Sequence, residues 1–436
     1  MKKTYIDTAM ERIAPDLILK GGNVVDVFSG RVIKADVIIK DGIICGVGSY
    51  SGENEQDVSG KYIMPGFIDS HVHIESSMTQ PSEYAKAVMP HGITTVIADP
   101  HEITNVCGED GLEFMLKSAK NIPLDVNLML PSCVPATPFE HTGANLDAKT
   151  TQKLAPKFFG IGEMMNYPGI VSGDDETLGK LCLDIIDGHA PLLSGHELDA
   201  YASAGIKTDH ECSVVEEMTE KISKGMYILL REGTLSLDVA KLIKDVTPYT
   251  LRRCAFCTDD RFVGEIIRDG SIDHCIRKAV SLGLNNIDAI IMATLNACEM
   301  YGMKNKGAIA PSYVADIVVA DDLNLSSISQ VYKNGKLVCE NGKALFECET
   351  VDNSKVTNTV HLPKISDDFF KTDVKDKFDA IELIPESIIT KKVTVSYSDS
   401  LSKVCVIERH HNLGTKGIGF VTNYGITNGA IATSIG

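Results

Sequence analysis

Residues 70–77 read SHVHIESS and follow the apolar run YIMPGFID. Side chains on a strand alternate between faces, so His71 and His73 point one way and Val72 the other. Two imidazoles on one face can reach a single cation, and histidine is the commonest metal ligand. The same kind of ending recurs down the chain. Short apolar runs finish on Asp99, His101 and Glu102, then on Glu163, His196 and His210, and last on Asp259 with Asp260. Taken singly, His196 in SGHELD or His210 in TDHECS reads as a hydrogen-bonded structural histidine, and Asp259 as a helix cap. Offered together from separate strand ends, four histidines and a carboxylate are hard to explain as packing. A buried carboxylate such as Glu163 is costly unless it is paired or metal-bound. Between two cations it would also offset their mutual repulsion. Two cations roughly 3.5–4 Å apart would acidify a water shared between them, which is the chemistry of hydrolysis.

Such a set needs elements that bring distant residues to one place. After Pro65 the sequence alternates apolar runs with helical stretches. The runs are the strand before SHVHIES, then GITTVIADP, PLDVNLMLPS, KFFGIGEMMN, APLLSGHE, GIKTDHE, GMYILLREG and RRCAFCTDD. Eight is the number that closes a parallel β/α barrel, whose catalytic groups sit at the C-terminal ends of its strands. The polar tails would then converge on one mouth. On either side of this region the style is different. Residues 1–65 and 308–350 carry β-branched runs broken by Gly-Gly, Asp-Gly and Asn-Gly turns, the mark of hairpins. The expectation is one composite β-sandwich domain with the catalytic barrel, 66–307, inserted into it. Residues 351–375 read as a linker, and 376–436 as part of a third, mixed α/β domain. The fold class is therefore α/β, a distorted barrel of the TIM kind in a small β-sandwich.

Composition excludes several functions. With 42 Lys and Arg against 59 Asp and Glu, the formal charge of the 436-residue chain is -17 and there is no basic cluster, which argues against nucleic acid or an anionic membrane as partner. No run approaches membrane-spanning length and the N-terminus lacks the apolar stretch of a signal peptide, so a cytoplasmic location is expected. The 12 cysteines have no framework spacing and read as reduced, packed thiols. A zinc–thiolate site at Cys254 and Cys257 is set aside because it would leave the strand-end histidines unexplained. His91, His141, His189 and His274 lack a strand-end context and are expected at surfaces or helix termini.

These motifs resemble the amidohydrolase superfamily. SHVHIESSM, GITTVIADPHEITNV, GIGEMMN, SGHE, TDHE and CTDDR are similar to the bacterial and archaeal adenine deaminase family, and the likeness runs over essentially the whole chain. That resemblance implies conversion of adenine to hypoxanthine and ammonia in a homo-oligomeric enzyme of purine salvage. It implies two divalent metal ions, manganese foremost, with iron or zinc as alternatives. His71 and His73 would hold one ion together with Asp259, His196 and His210 the other, and Glu163 would bridge them. Asp259 would also shuttle a proton. Glu75, Glu102 and Glu211 are candidates to protonate a ring nitrogen, and Asp260 and His101 to contact the base. The family usually continues beyond the point where this sequence stops, so the end of the third domain is expected to be missing. Two other functions fit the same residues: a cyclic-amide hydrolase of the dihydroorotase or hydantoinase kind, and a scaffold that has lost its chemistry. A strand-four lysine is common in the former, and Glu163 stands in that place. A scaffold would need none of the candidate ligands.

Overall fold

The computed structural model describes residues 2–366, 368–373, 376–385, 389–398, 400–426 and 428–433. Eight parallel strands form the barrel: β1 (Phe67–Val72), β2 (Ile93–Ala98), β3 (Asp125–Leu130), β4 (Gly160–Met164), β5 (Ile186–Gly188), β6 (Thr208–Asp209), β7 (Tyr227–Arg231) and β8 (Cys254–Cys257). They are built from two arcs, one of five strands from β1 to β5 and one of three from β6 to β8. The arcs meet at the first and last strands through a parallel bridge between Val72 and Asp259. Asp259 N donates to His71 O at 2.9 Å and His73 N to Asp259 O at 3.2 Å, so barrel closure itself sets His71, His73 and Asp259 side by side.

On the opposite side no ladder joins β5 to β6 among the described residues. Side chains stitch that seam instead. Gly188 N donates to Thr208 Oγ1 at 3.0 Å, Thr208 Oγ1 to Asp187 Oδ1 at 2.9 Å, and Ala190 N to Asp209 Oδ1 at 2.9 Å. Gly188 is required here, because a Cβ would collide with the Thr208 carbonyl oxygen. This seam is the distortion of the barrel.

The strand interiors hold the core. Val96, Ile97, Met129, Leu130, Ile161, Ile228, Leu230 and Phe256 are buried, and each large aliphatic side chain removed from water contributes about 1.5–3 kcal/mol. The ends of the chain come together as expected from their hairpin style. Strands from residues 17–65 and 317–344 form one nine-stranded sheet, in which Ile317–Ala320 pairs antiparallel with Tyr62–Pro65. Lys306 and Lys333 tie this layer to the barrel through Asp125 and Asp316, with Lys333 Nζ 2.9 Å from each.

Beyond residue 376 the described part is a four-stranded sheet of Phe378–Leu383, Thr390–Val395, Ser402–Ile407 and Lys416–Thr422. The expected mixed α/β character is met on its β side, with no helix among the described residues there. This sheet touches the loop after β3, where His411 Nε2 lies 3.0 Å from Thr142 O. The 12 cysteines are free and most are buried.

Candidate active site

The barrel mouth gathers five imidazoles around one carboxylate. Glu163, last but one in β4, presents Oε1 to His73 Nε2 at 3.4 Å and to His101 Nδ1 at 3.2 Å. Its Oε2 faces His189 Nδ1 at 2.6 Å and His210 Nε2 at 3.2 Å. The carboxylate therefore spans two pairs of imidazoles. Its backbone is fixed by Asp99, whose Oδ2 accepts from Glu163 N at 2.9 Å. The glycine of GIGE makes this possible, since a Cβ at Gly162 would occupy the place of the Asp99 carboxylate.

On the closing side, His71 Nε2 and His73 Nε2 lie 3.1 Å apart, and Asp259 Oδ1 is 3.5 Å from the first and 3.1 Å from the second. His73 is oriented by the Asp99 carbonyl oxygen, 2.9 Å from Nδ1. Asp259 sits in the left-handed region at φ 56°, a conformation that aspartate tolerates better than most residues and that recurs at functional sites. Its other oxygen accepts from Arg231 Nη1 at 3.1 Å. The same guanidinium holds both oxygens of Glu211 and reaches Asp238 at 3.2 Å.

Positive charge is what this cluster demands. Burial would raise Glu163, but His189, His101 and His210 hold it well below the usual carboxylate range. Asp259 is likewise held far down by His71 and His73 against the effect of burial. In return, burial would lower His71, yet Asp187 and Asp259 hold it up to about 10. His73 is raised against burial by Glu102 and Asp259. Protons on imidazoles are one way to balance these carboxylates, and divalent cations are the other. The donor set fits cations. His71, His73 and Glu163 offer ligand atoms within 4.8 Å of one another, and so do His71, His210 and Asp259, and Glu163, His189 and His210. Several buried polar atoms at the mouth also lack a hydrogen-bond partner, among them His71 Nδ1, His210 Nδ1 and Glu102 Oε2.

The structure places one expected ligand apart from the cluster. His196 is exposed in the first turn of the helix Gly195–Ser203, whereas His189, expected at a surface, lies against Glu163. The fifth strand is Ile186–Gly188 rather than the more apolar APLLSGHE, so the histidine that follows the strand is His189. The signal available in the sequence was Asp-Gly-His directly after an isoleucine pair. Of the remaining expected residues, His71, His73, Glu163, His210 and Asp259 come together. His101 and Glu102 join them from the first turn of the helix His101–Ser118, with His101 Nε2 3.3 Å from Glu102 Oε1. Glu75 is half-buried beside them, its Oε1 3.3 Å from Ile103 N. Burial and the neighbouring Glu102 push Glu75 up to about 8, and burial raises Glu102 as well. Asp260 is exposed at the rim and accepts from Ser76 Oγ. Glu211 is clamped by Arg231, which the sequence reading did not single out. Neither did it single out Asp187, whose Oδ2 is 3.8 Å from His71 Nδ1.

A barrel with histidines and an aspartate at the ends of its first, fifth, sixth and eighth strands, gathered round a carboxylate on the fourth, defines a metal-dependent hydrolase of the amidohydrolase class. Residues 62–338 match the model of the Amidohydrolase family, and residues 383–436 that of the Adenine deaminase C-terminal domain. An adenine deaminase of Clostridium acetobutylicum is 46% identical over 99% of this chain and 79% of its own length. Adenine deaminase 2 of Desulfotalea psychrophila is 44% identical with the same coverage. Among solved structures, an enamidase of the amidohydrolase superfamily matches with a TM-score of 0.58 at 18% identity, over 76% of this chain and 97% of its own. A β-aspartyl dipeptidase of Fervidobacterium islandicum matches at 0.55 and 20% identity, over 77% and 99%. At such identities these two speak for the fold alone. The chain belongs to the amidohydrolase family and, within it, to the adenine deaminases.

Proposed function

We propose that this protein hydrolyses adenine to hypoxanthine and ammonia at the mouth of the barrel. The observation that carries the reading is the Glu163 carboxylate spanning His73 and His101 on one oxygen and His189 and His210 on the other, in a chain whose relatives are named adenine deaminases over nearly its full length. Two divalent ions, manganese foremost, are the reading we favour. His71, His73 and Asp259 would hold one ion, His189 and His210 the other, and Glu163 would bridge them. When bound, the ions would supply a water acidic enough to lose a proton near neutral pH.

The rest of the reaction falls to the chain's own residues. The water oxygen bonds to C6 of the purine and the bond from C6 to the exocyclic nitrogen breaks. Asp259 accepts the water proton and hands it to the departing nitrogen, and Arg231 keeps its carboxylate aimed at the two imidazoles while it does so. A ring nitrogen must gain a proton as C6 becomes tetrahedral. Glu75, pushed up to about 8 by burial and by Glu102, is the candidate to give that proton, directly or through Glu102, and to take back the second water proton as the C6 hydroxyl becomes the carbonyl of hypoxanthine. His101 and Asp260 line the approach to the base.

Ring opening of a cyclic amide would use the same barrel, but the relatives' name and the strand-four glutamate favour deamination. We take residues 66–307 as the catalytic unit and the cytoplasm as its location. Among the described residues no helix is long and apolar enough to cross a membrane. The test is substrate choice: ammonia is expected from adenine and not from adenosine, and release from adenosine at a comparable rate would overturn the assignment.

A further inference from the structure

Lys221 is an unusual residue to find where it is. It lies on the helix Val215–Ser223, behind the seam between β5 and β6, and its side chain is fully buried. Its ammonium donates to Ala190 O at 2.7 Å, to Asp209 Oδ2 at 3.0 Å and to Glu217 Oε1 at 2.7 Å. Burial opposes its charge, but Asp209 and Glu217 hold the proton on more firmly than on an ordinary lysine.

The partners of this ammonium are the immediate neighbours of two active-site histidines. Ala190 follows His189, and Asp209 precedes His210. Asp209 continues the network, accepting from Ala190 N at 2.9 Å through Oδ1 and from Glu211 N at 3.2 Å through Oδ2. Glu217 Oε1 also accepts from Leu192 N at 2.7 Å, pinning the loop after His189 a second time. Elsewhere around the barrel, ladder hydrogen bonds, or at the closing seam the Val72–Asp259 bridge, set the spacing of neighbouring strands. Between β5 and β6 no ladder does so among the described residues, and this network takes its place.

We propose that Lys221 is a positioning residue for the second metal ion, fixing the separation of His189 and His210 through Ala190 and Asp209. The proposal rests on the reading of His189, His210 and Glu163 as that ion's ligands. Lys221 touches neither ligand nor substrate. Groups that orient metal ligands from outside are typically worth about 10–100-fold in metal affinity. A lysine serving only the general stability of the barrel would instead weaken both ions alike, or neither.

The test uses the full chain, stripped of metal and titrated with Mn2+, with free ion read by electron paramagnetic resonance and Co2+ spectra recorded in parallel. Lys221→Met leaves Asp209 and Glu217 without their shared cation and risks misfolding. The double variant Lys221→Met with Asp209→Asn removes the charges of Lys221 and Asp209, and it keeps an oxygen to accept from Ala190 N. In the folded fraction of either variant, the second equivalent of Mn2+ is expected to bind about 10–100-fold more weakly. The first should stay within about threefold of the parent, with a changed Co2+ spectrum only for the second equivalent. Parental affinity for both ions, equal weakening of both, or failure of both variants to fold would each overturn the proposal. If the parent itself takes up fewer than two ions, it is the metal reading that fails.

Discussion

Replacing His189 with alanine, beside His196→Ala as its companion, separates the structural placement of the fifth-strand histidine from the placement read off the sequence. His189 Nδ1 is 2.6 Å from Glu163 Oε2, and its ring centre is 5.3 Å from that of His210. His196 is exposed at the start of a helix. Outer groups that merely orient a ligand are worth about 10–100-fold in metal affinity, so loss of an imidazole that itself faces the Glu163 carboxylate should reach at least the top of that range. A hundredfold is about 2.7 kcal/mol. His196→Ala removes an exposed side chain, and such changes stay within about 0.5 kcal/mol. The assay is Mn2+ titration of metal-free protein, with the melting temperature of each metal-free variant confirming that the barrel is folded. His189→Ala should lose the weaker equivalent of metal by about a hundredfold or more, while His196→Ala should match the parent. Equal losses in the two variants, or a larger loss in His196→Ala, would refute the placement.

Glu163→Ala should lower the occupancy of both ions more than either His71→Ala or His189→Ala, because it removes the charge between the two cations; full occupancy would rule out a bridged pair. Asp259→Asn keeps a coordinating oxygen near His71 and His73 while putting an amide where Arg231 met a carboxylate, so metal should largely remain. Turnover of Asp259→Asn should fall by about 10²–10⁴-fold, and a fall of less than about tenfold with metal retained would move the proton transfer to Glu75 or Glu102. Away from the mouth, burial would raise Asp273, but His91 at 3.2 Å and Arg277 at 2.6 Å hold it below the usual range. Its contribution to stability is therefore present above about pH 4 and lost as pH falls through the lowered native value. Urea melts should show Asp273→Asn less stable than the parent at pH 7, with the difference closing below about pH 4; a gap that persists unchanged to pH 3 would contradict this.

Much of the site was legible because most of its residues follow apolar runs. The runs before His71, Asp99, Glu163 and Asp259 are continuous enough for strand assignment, and barrel geometry then sends their polar tails to one mouth. The fifth strand failed for a physical reason. Ile186–Gly188 is three residues long and contains Asp187 and Gly188, both poor strand formers. It is held by close contact with Thr208 and by side-chain bonds rather than by a long ladder, and neither leaves a pattern in the chain. APLLSGHE looked the better strand, but its apolar residues lie in a loop and its GHE opens the helix Gly195–Ser203. Arg231, Asp187 and Lys221 were invisible for a related reason. Each acts through partners on other elements, Lys221 through Ala190 and Asp209, Arg231 through Glu211 and Asp259, and Asp187 beside His71, and no local sequence pattern marks those pairings. The nine-stranded sheet was legible as hairpins, while the pairing of Tyr62–Pro65 with Ile317–Ala320 is the contact that brings its two halves together.

The central claim is that adenine is deaminated by a pair of ions held around Glu163. The most direct measurement is the rate of ammonia release from adenine by metal-stripped protein, as Mn2+ is added back in known equivalents. Negligible turnover is expected without metal, followed by a rise that breaks at two equivalents per chain. Full turnover in the metal-stripped protein, or a break at one equivalent, would contradict it.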